Sequence, residues 1–171
     1  MILRFTGIAL FSAMLLTSAT ASAEWTKQFS LMGDGNQLIG IAAWNDQNAC
    51  AVGKQNQGSG DQPAVLFTTN GGKTWTNGAL GGQFAFVFRV SYADPKTIFG
   101  AGLGMMKSND AGSSFAAVTI PGVSMFDMVS SVHAENTSYI WATVGPNVLR
   151  TANGLNWEKT TTGIGQDLQS V

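Results

Sequence analysis

Short apolar runs separated by polar, glycine-bearing turns fill the chain from residue 38 onward, and none shows the period or the length of an amphipathic helix. Residues 38–44, 86–92 and 126–132 read as buried strands, and each leads into a cluster of turn formers at 45–48, 93–96 and 133–136. A second run then ends in glycine, at Ala51-Val52-Gly53, Gly100-Ala101-Gly102 and Thr143-Val144-Gly145. A third run precedes a polar turn and a single large aromatic, at 66–75, 105–115 and, one residue shorter, 148–157. Every unit therefore predicts four short strands: strand, turn, strand ending in glycine, strand, polar corner, aromatic-led strand.

The corners share a pattern of hydroxyl, any residue, Asp or Asn, any residue, Gly, any residue, Ser or Thr, aromatic. The residues are Thr68, Asn70, Gly72, Thr74 and Trp75 in the first copy, and Ser108, Asp110, Gly112, Ser114 and Phe115 in the second. Thr151, Asn153, Gly154 and Trp157 form the third. The Asp or Asn oxygen suits a tight turn because it can accept backbone N–H groups, and glycine supplies the positive φ that such a turn demands. The aromatic that follows is large enough to wedge between neighbouring sheets. Trp75, Phe115 and Trp157 recur at about 40 residues, the period of a four-stranded propeller blade.

This pattern resembles the Asp-box, or BNR, repeat of the sialidase-like propellers, and in repeat form it is most similar to the exported assembly and stability factors of photosystem II. The resemblance implies an all-β propeller of four-stranded antiparallel blades: about three full units, near 38–75, 86–115 and 126–157, with a leading outer strand from Trp25 and a trailing inner strand at 168–171. Three blades fall short of the four to eight of a closed ring. The chain is then either part of a longer propeller or an open arc that hides its apolar end faces by self-association. The interval from Trp25 to Trp75 is longer than the others, and residues 54–63 carry the excess. They are expected to form a solvated loop, a surface insertion or alternatively a binding loop.

Residues 1–23 have the form of a secretory signal peptide: Arg4, an apolar run from Phe5 to Leu16, and small residues at Ala21 and Ala23. Cleavage is expected after Ala23, leaving 24–171 as one exported domain, periplasmic or secreted. The apolar run is too short for a membrane span. Charged residues are 11% of the chain, and nine Lys and Arg, including Arg4, face ten Asp and Glu. With no cluster of basic residues, nucleic acid is excluded as a partner. Cys50, the single cysteine, lies in an apolar run and reads as a small buried hydrophobe.

No catalytic set emerges. A sialidase implies an arginine triad, a tyrosine with a glutamate, and an aspartate, yet the mature chain carries only Arg89 and Arg150, the latter read as a surface residue. Asp46 and Asp94 read as turn formers. Asp127, ahead of an inner strand, is a weaker candidate for facing a central channel. His133, placed in a turn, lacks partners for zinc or a triad, and Asn136-Thr137-Ser138 is a glycosylation sequon. The expectation is a non-catalytic binding or scaffold module with no cofactor or metal and with a protein or glycan partner. The alternative is the N-terminal part of an exported glycoside hydrolase whose catalytic residues lie outside this chain. Recognition by the photosystem factors is associated with an arginine-rich face, which two arginines cannot build.

Overall fold

The computed structural model describes residues 27, 35–56, 58, 60–81 and 86–169. The leader, the Trp25 strand, and Ser170 and Val171 lie outside the described residues. Within them the chain is all β. No helix among the described residues is long and apolar enough to cross a membrane.

Blade 1 comprises β1 (Gln37–Ala43), β2 (Ala49–Asn56), β3 (Asp61–Thr68) and the short β4 (Thr76–Asn77), in that spatial order. A two-residue strand, β5 (Ala79–Leu80), leads out of it. Blade 2 is β6 (Val87–Tyr92), β7 (Ile98–Gly102), β8 (Gly104–Ser108) and β9 (Ser114–Ala117); blade 3 is β10 (Val129–Ala134), β11 (Ile140–Val144), β12 (Asn147–Thr151) and β13 (Trp157–Thr161). Each blade is an antiparallel meander. The middle sheet departs from four strands, because β5 pairs in parallel with β9 through Ala79 with Ser114 and Leu80 with Phe115. The linker leaving blade 1 thus covers the outer edge of blade 2, which would otherwise present unpaired backbone groups.

Apolar side chains meet between sheets. One core joins Cys50, Val52 and Val65 of blade 1 to Val87, Tyr92, Ile98, Met106 and Phe115 of blade 2. The other joins Phe99, Ala101 and Met105 of blade 2 to Val132, Ile140, Ala142, Leu149 and Trp157 of blade 3. Phe115 and Trp157 each face the preceding blade. Cys50 is fully buried, and burial pushes its thiol up to about 12, so it is held protonated as a packing residue.

Several boundaries differ from the sequence expectation. Residues 54–63 are mostly strand: β2 and β3 run on as a hairpin in which Lys54, Gln55 and Asn56 pair with Pro63, Gln62 and Asp61. Lys54 Nζ meets Asp61 Oδ2 at 2.6 Å across this hairpin. The third inner strand begins at Val129 instead of Phe126, since Ser124 and Asp127 close a turn through Asp127 N–H to Ser124 O at 3.0 Å. His133 belongs to β10, opposite Trp141, and the turn starts after it. Gly53 and Gly102 oppose Leu38 and Val87 at the start of the inner strands, where a Cβ would strike the carbonyl of Gln37 or Phe86. In blade 3 that register position holds Val144, and Gly145 is a turn residue at φ +53°. The glycine after the second strand is therefore not one structural landmark but two.

Leu168 forms no strand, yet its N–H donates to Gly145 O at 2.9 Å and its carbonyl accepts Ser130 Oγ at 2.6 Å, so it lies against blade 3.

Trp157→Ala should cost about 3–5 kcal/mol of stability through the cavity left between blades 2 and 3. Urea unfolding monitored by circular dichroism checks this, with the exposed Leu155→Ala expected to change stability by less than about 0.5 kcal/mol.

Candidate functional site

The three corners form turns at one end of each blade. In the first, Gly72 N–H donates to Thr68 Oγ1 at 3.0 Å and Thr74 N–H to Asn70 Oδ1 at 3.0 Å. The second repeats this with Gly112 N–H to Ser108 Oγ at 2.9 Å and Ser114 N–H to Asp110 Oδ1 at 2.8 Å. Ser114 Oγ adds a bond to Asp110 Oδ2 at 2.6 Å. The third corner, lacking one residue, is built differently: Asn153 Oδ1 accepts from Leu155 and Asn156 N–H at 3.0 and 2.8 Å. Gly154, at φ +69°, takes the place of Gly71 and Ala111, whose φ values are +69° and +60°, and not that of Gly72 or Gly112. Ala111 holds this left-handed conformation despite its Cβ, at some local cost.

Each corner is tied to the turn between the first two strands of its own blade. Gly71, Ala111 and Gly154 donate N–H bonds to the carbonyls of Gln47, Lys96 and Ser138 at 2.9, 2.8 and 3.1 Å. Those turns are closed by Asn45, Asp94 and Asn136, each accepting two backbone N–H bonds on Oδ1. Asn45, not Asp46, is the residue equivalent to Asp94. Burial tends to raise the Asp94 carboxyl, but bonds from Lys96 N–H, Thr97 N–H and Thr97 Oγ1 outweigh it and hold the group below the ordinary carboxylate range. The Ser114 hydroxyl, with other hydrogen bonds, does the same for Asp110. Both carboxylates are committed to turns and biased toward the charged form, the reverse of what a general acid needs.

Near the opposite ends of the inner strands, all three carry a register shift at the same place, which leaves Ile39, Phe88 and Ser130 as the extra residues. A bulge of this kind re-aims a side chain out of the sheet's alternation. Together these residues line a pocket of about 310 Å³ with Arg89, Met128 and Gln169. Ile39 and Arg89 are exposed, and Arg89 Nη1 donates to Phe88 O at 3.0 Å. This is the axial face, where three successive blades converge. A neighbouring pocket of about 360 Å³ shares Met128, Ser130 and Gln169 and adds Asp127, Lys159 and Asp167. Asp127 also accepts the Ser124 N–H on Oδ2 at 2.8 Å, which accounts for its place in the turn.

Sequence reasoning left Arg89 without a role and did not weigh Asp167. Bulges carry no composition signal, so Phe88 and Arg89 look like any inner-strand pair until the register is known. Arg150 lies on the surface of blade 3, over the Trp141 ring at 5.3 Å and 3.9 Å from Glu158. Among the described residues no group of His, Cys, Asp and Glu is placed to hold a metal ion.

No protein-family model matches the chain, and no curated protein matches it by sequence. Solved structures do match in fold. A structure of YCF48 bound to a D1 peptide superimposes with a TM-score of 0.55 at 17% identity, over 71% of this chain and 39% of that one. YCF48 from Cyanidioschyzon merolae gives 0.55 at 21% identity with the same coverage. A GH74 enzyme from Niastella koreensis gives 0.59 at 17% identity, over 76% of this chain but 23% of that one. The chain thus spans well under half the length of these structures. What they share with it is the β-propeller fold, present here as three blades.

Stability should fall as pH drops below about 4, where the unfolded carboxyls protonate. Asp94 and Asp110, with folded values held lower, contribute stability that is present above that point and lost as pH falls through the folded values. Asp94→Asn and Asp110→Asn should flatten the acid limb of a plot of melting temperature against pH.

Proposed function

We propose that this chain is an exported, non-catalytic propeller module that binds a protein or glycan partner on its axial face, with the corners serving as structural Asp-boxes. The observation that carries this reading is the aligned bulge of all three inner strands, which sets Ile39 and Phe88 beside Arg89 at one end of the molecule. An apolar surface with one cation and a few polar groups suits an extended partner with an acidic or amide function. The YCF48 structure bound to a peptide supports protein binding by a propeller of this kind. The corner residues are explained by turn closure at the far end of the blades, so they need no role in recognition.

Purified protein screened against peptide and glycan arrays should retain ligands that the Phe88→Ala, Arg89→Ala double variant binds at least about tenfold more weakly, the loss of an anchor of roughly 1.4 kcal/mol or more. Binding that the double variant leaves intact would overturn the axial assignment. A second reading is favoured by Asp127 and Asp167 lining one pocket, since glycoside hydrolysis uses two facing carboxylates. Turnover of any polysaccharide in a panel, abolished by Asp127→Asn or Asp167→Asn, would establish it in place of the non-catalytic one. Export is checked separately: mass spectrometry of the protein from the secreted or periplasmic fraction should show a chain beginning at Glu24.

A further inference from the structure

The axial pocket and its neighbour are one groove. Met128, Ser130 and Gln169 line both, so the space of about 310 Å³ beside Phe88 and Arg89 opens into the space of about 360 Å³ beside Asp127 and Asp167. The groove starts over the inner strands of blades 1 and 2, at Ile39 and Phe88, and runs outward across the end of blade 3 to Asn147 and Lys159 on its third and fourth strands.

Its two ends carry opposite charge, and each charge is held in place without being neutralised. At the axial end Arg89 Nη1 donates to Phe88 O at 3.0 Å, and the Phe88 ring stacks on Phe86 with centroids 5.9 Å apart. No carboxylate pairs with this exposed guanidinium among the described residues, which leaves its remaining N–H groups open to a ligand. At the outer end the two bonds on Leu168, from its N–H to Gly145 O and from Ser130 Oγ to its carbonyl, pin the segment that carries Asp167. Asp167 Oδ1 lies over Gly145, 3.5 Å from where a Cβ there would stand, and its carboxylate has no partner among the described residues. Asp127 accepts Ser124 N–H on Oδ2 and keeps Oδ1 free. Lys159, the base that lines this end, donates to Gly122 O at 3.1 Å, and no ion pair joins it to either carboxylate.

Uncompensated charges of opposite sign at the two ends of one groove select a ligand that carries both. A neutral glycan satisfies neither charge, and an anionic one meets Arg89 but is repelled at the outer end. Between the ends, Ile39, Phe88 and Met128 offer apolar contact and Gln169 an amide, a surface that suits a peptide backbone with an apolar side chain. We propose that the groove binds an extended peptide segment of a partner protein, an acidic side chain meeting Arg89 and a lysine or arginine side chain meeting Asp127 and Asp167. This rests on the axial binding reading and narrows it: the partner is a protein, and the order of its charges sets the direction in which it lies.

Soluble peptides of Ser and Val carrying one Glu and one Lys about two to six residues apart provide the probe, with Glu-only and Lys-only peptides beside them. At the best spacing the doubly charged peptide should bind the purified protein at least about fivefold more tightly than either singly charged one, and the advantage should shrink as salt rises. Asp167→Lys, which changes an exposed carboxylate, should abolish the lysine advantage and favour a peptide with two Glu, while the circular dichroism spectrum stays unchanged. Peptide binding that depends on Arg89 but gains nothing from lysine, or a lysine advantage that survives Asp167→Lys, overturns this proposal and leaves the axial reading standing. Peptide binding that survives the Phe88→Ala, Arg89→Ala double variant, or no binding of any of these peptides, overturns the proposal as well, the former together with the axial reading. Calorimetric binding of calcium alone, or polysaccharide turnover, lost in Asp167→Lys would give the outer end to a metal ion or to hydrolysis and likewise overturn it.

Discussion

The apolar side chains of each sheet in this protein are buried against a neighbouring sheet, because no single sheet can bury its faces alone. Everything else in the structure follows from meeting that constraint by stacking: the alternation along each strand sends one set of side chains to the preceding blade and the other to the following blade. Val52 and Met106 meet in one core, Phe99 and Leu149 in the next. The wedge aromatics Phe115 and Trp157 enlarge these cores at the outer strands, where the sheets would otherwise diverge. Burial of this kind grows with each blade added, as in repeat proteins generally.

The turns make the stacking reproducible. Asn45, Asp94 and Asn136 close the inner turns, and the corner residues close the outer ones, with a backbone bond joining the two in every blade. One end of each blade is pinned in this way, and the other carries its own repeated feature. That is where the three bulges, the extended hairpin of blade 1 and the pockets lie. The bulge recurs in all three blades but carries Ile39, Phe88 and Ser130 in turn, so side chains there differ while the backbone repeats.

Much of the fold was legible in the chain because period and turn chemistry are local. Thr68-x-Asn70 and Ser108-x-Asp110 announce their turns, and Trp75, Phe115 and Trp157 mark the blades. The departures arise where register decides. Gly53 and Gly102 are needed because an inner strand passes close by, whereas Gly145 follows a turn, and letters alone do not separate the two. Phe126-Asp127-Met128 reads as apolar strand, but Asp127 is drawn back by Ser124 into a turn. The second strand and third strand of blade 1 keep pairing through a polar stretch that looks like loop, since β pairing tolerates Gln and Asn where the backbone bonds are made. The axial pocket was the least legible feature, because it depends on three bulges from residues about 40 positions apart.

The central claim is that the blades are held together by cores shared between sheets. A double-mutant cycle in denaturant unfolding tests it most directly, pairing Phe99→Leu in blade 2 with Trp157→Phe in blade 3, two residues of one core contributed by different sheets. The account predicts a coupling of about 0.5 kcal/mol or more between them. Effects that simply add would contradict it.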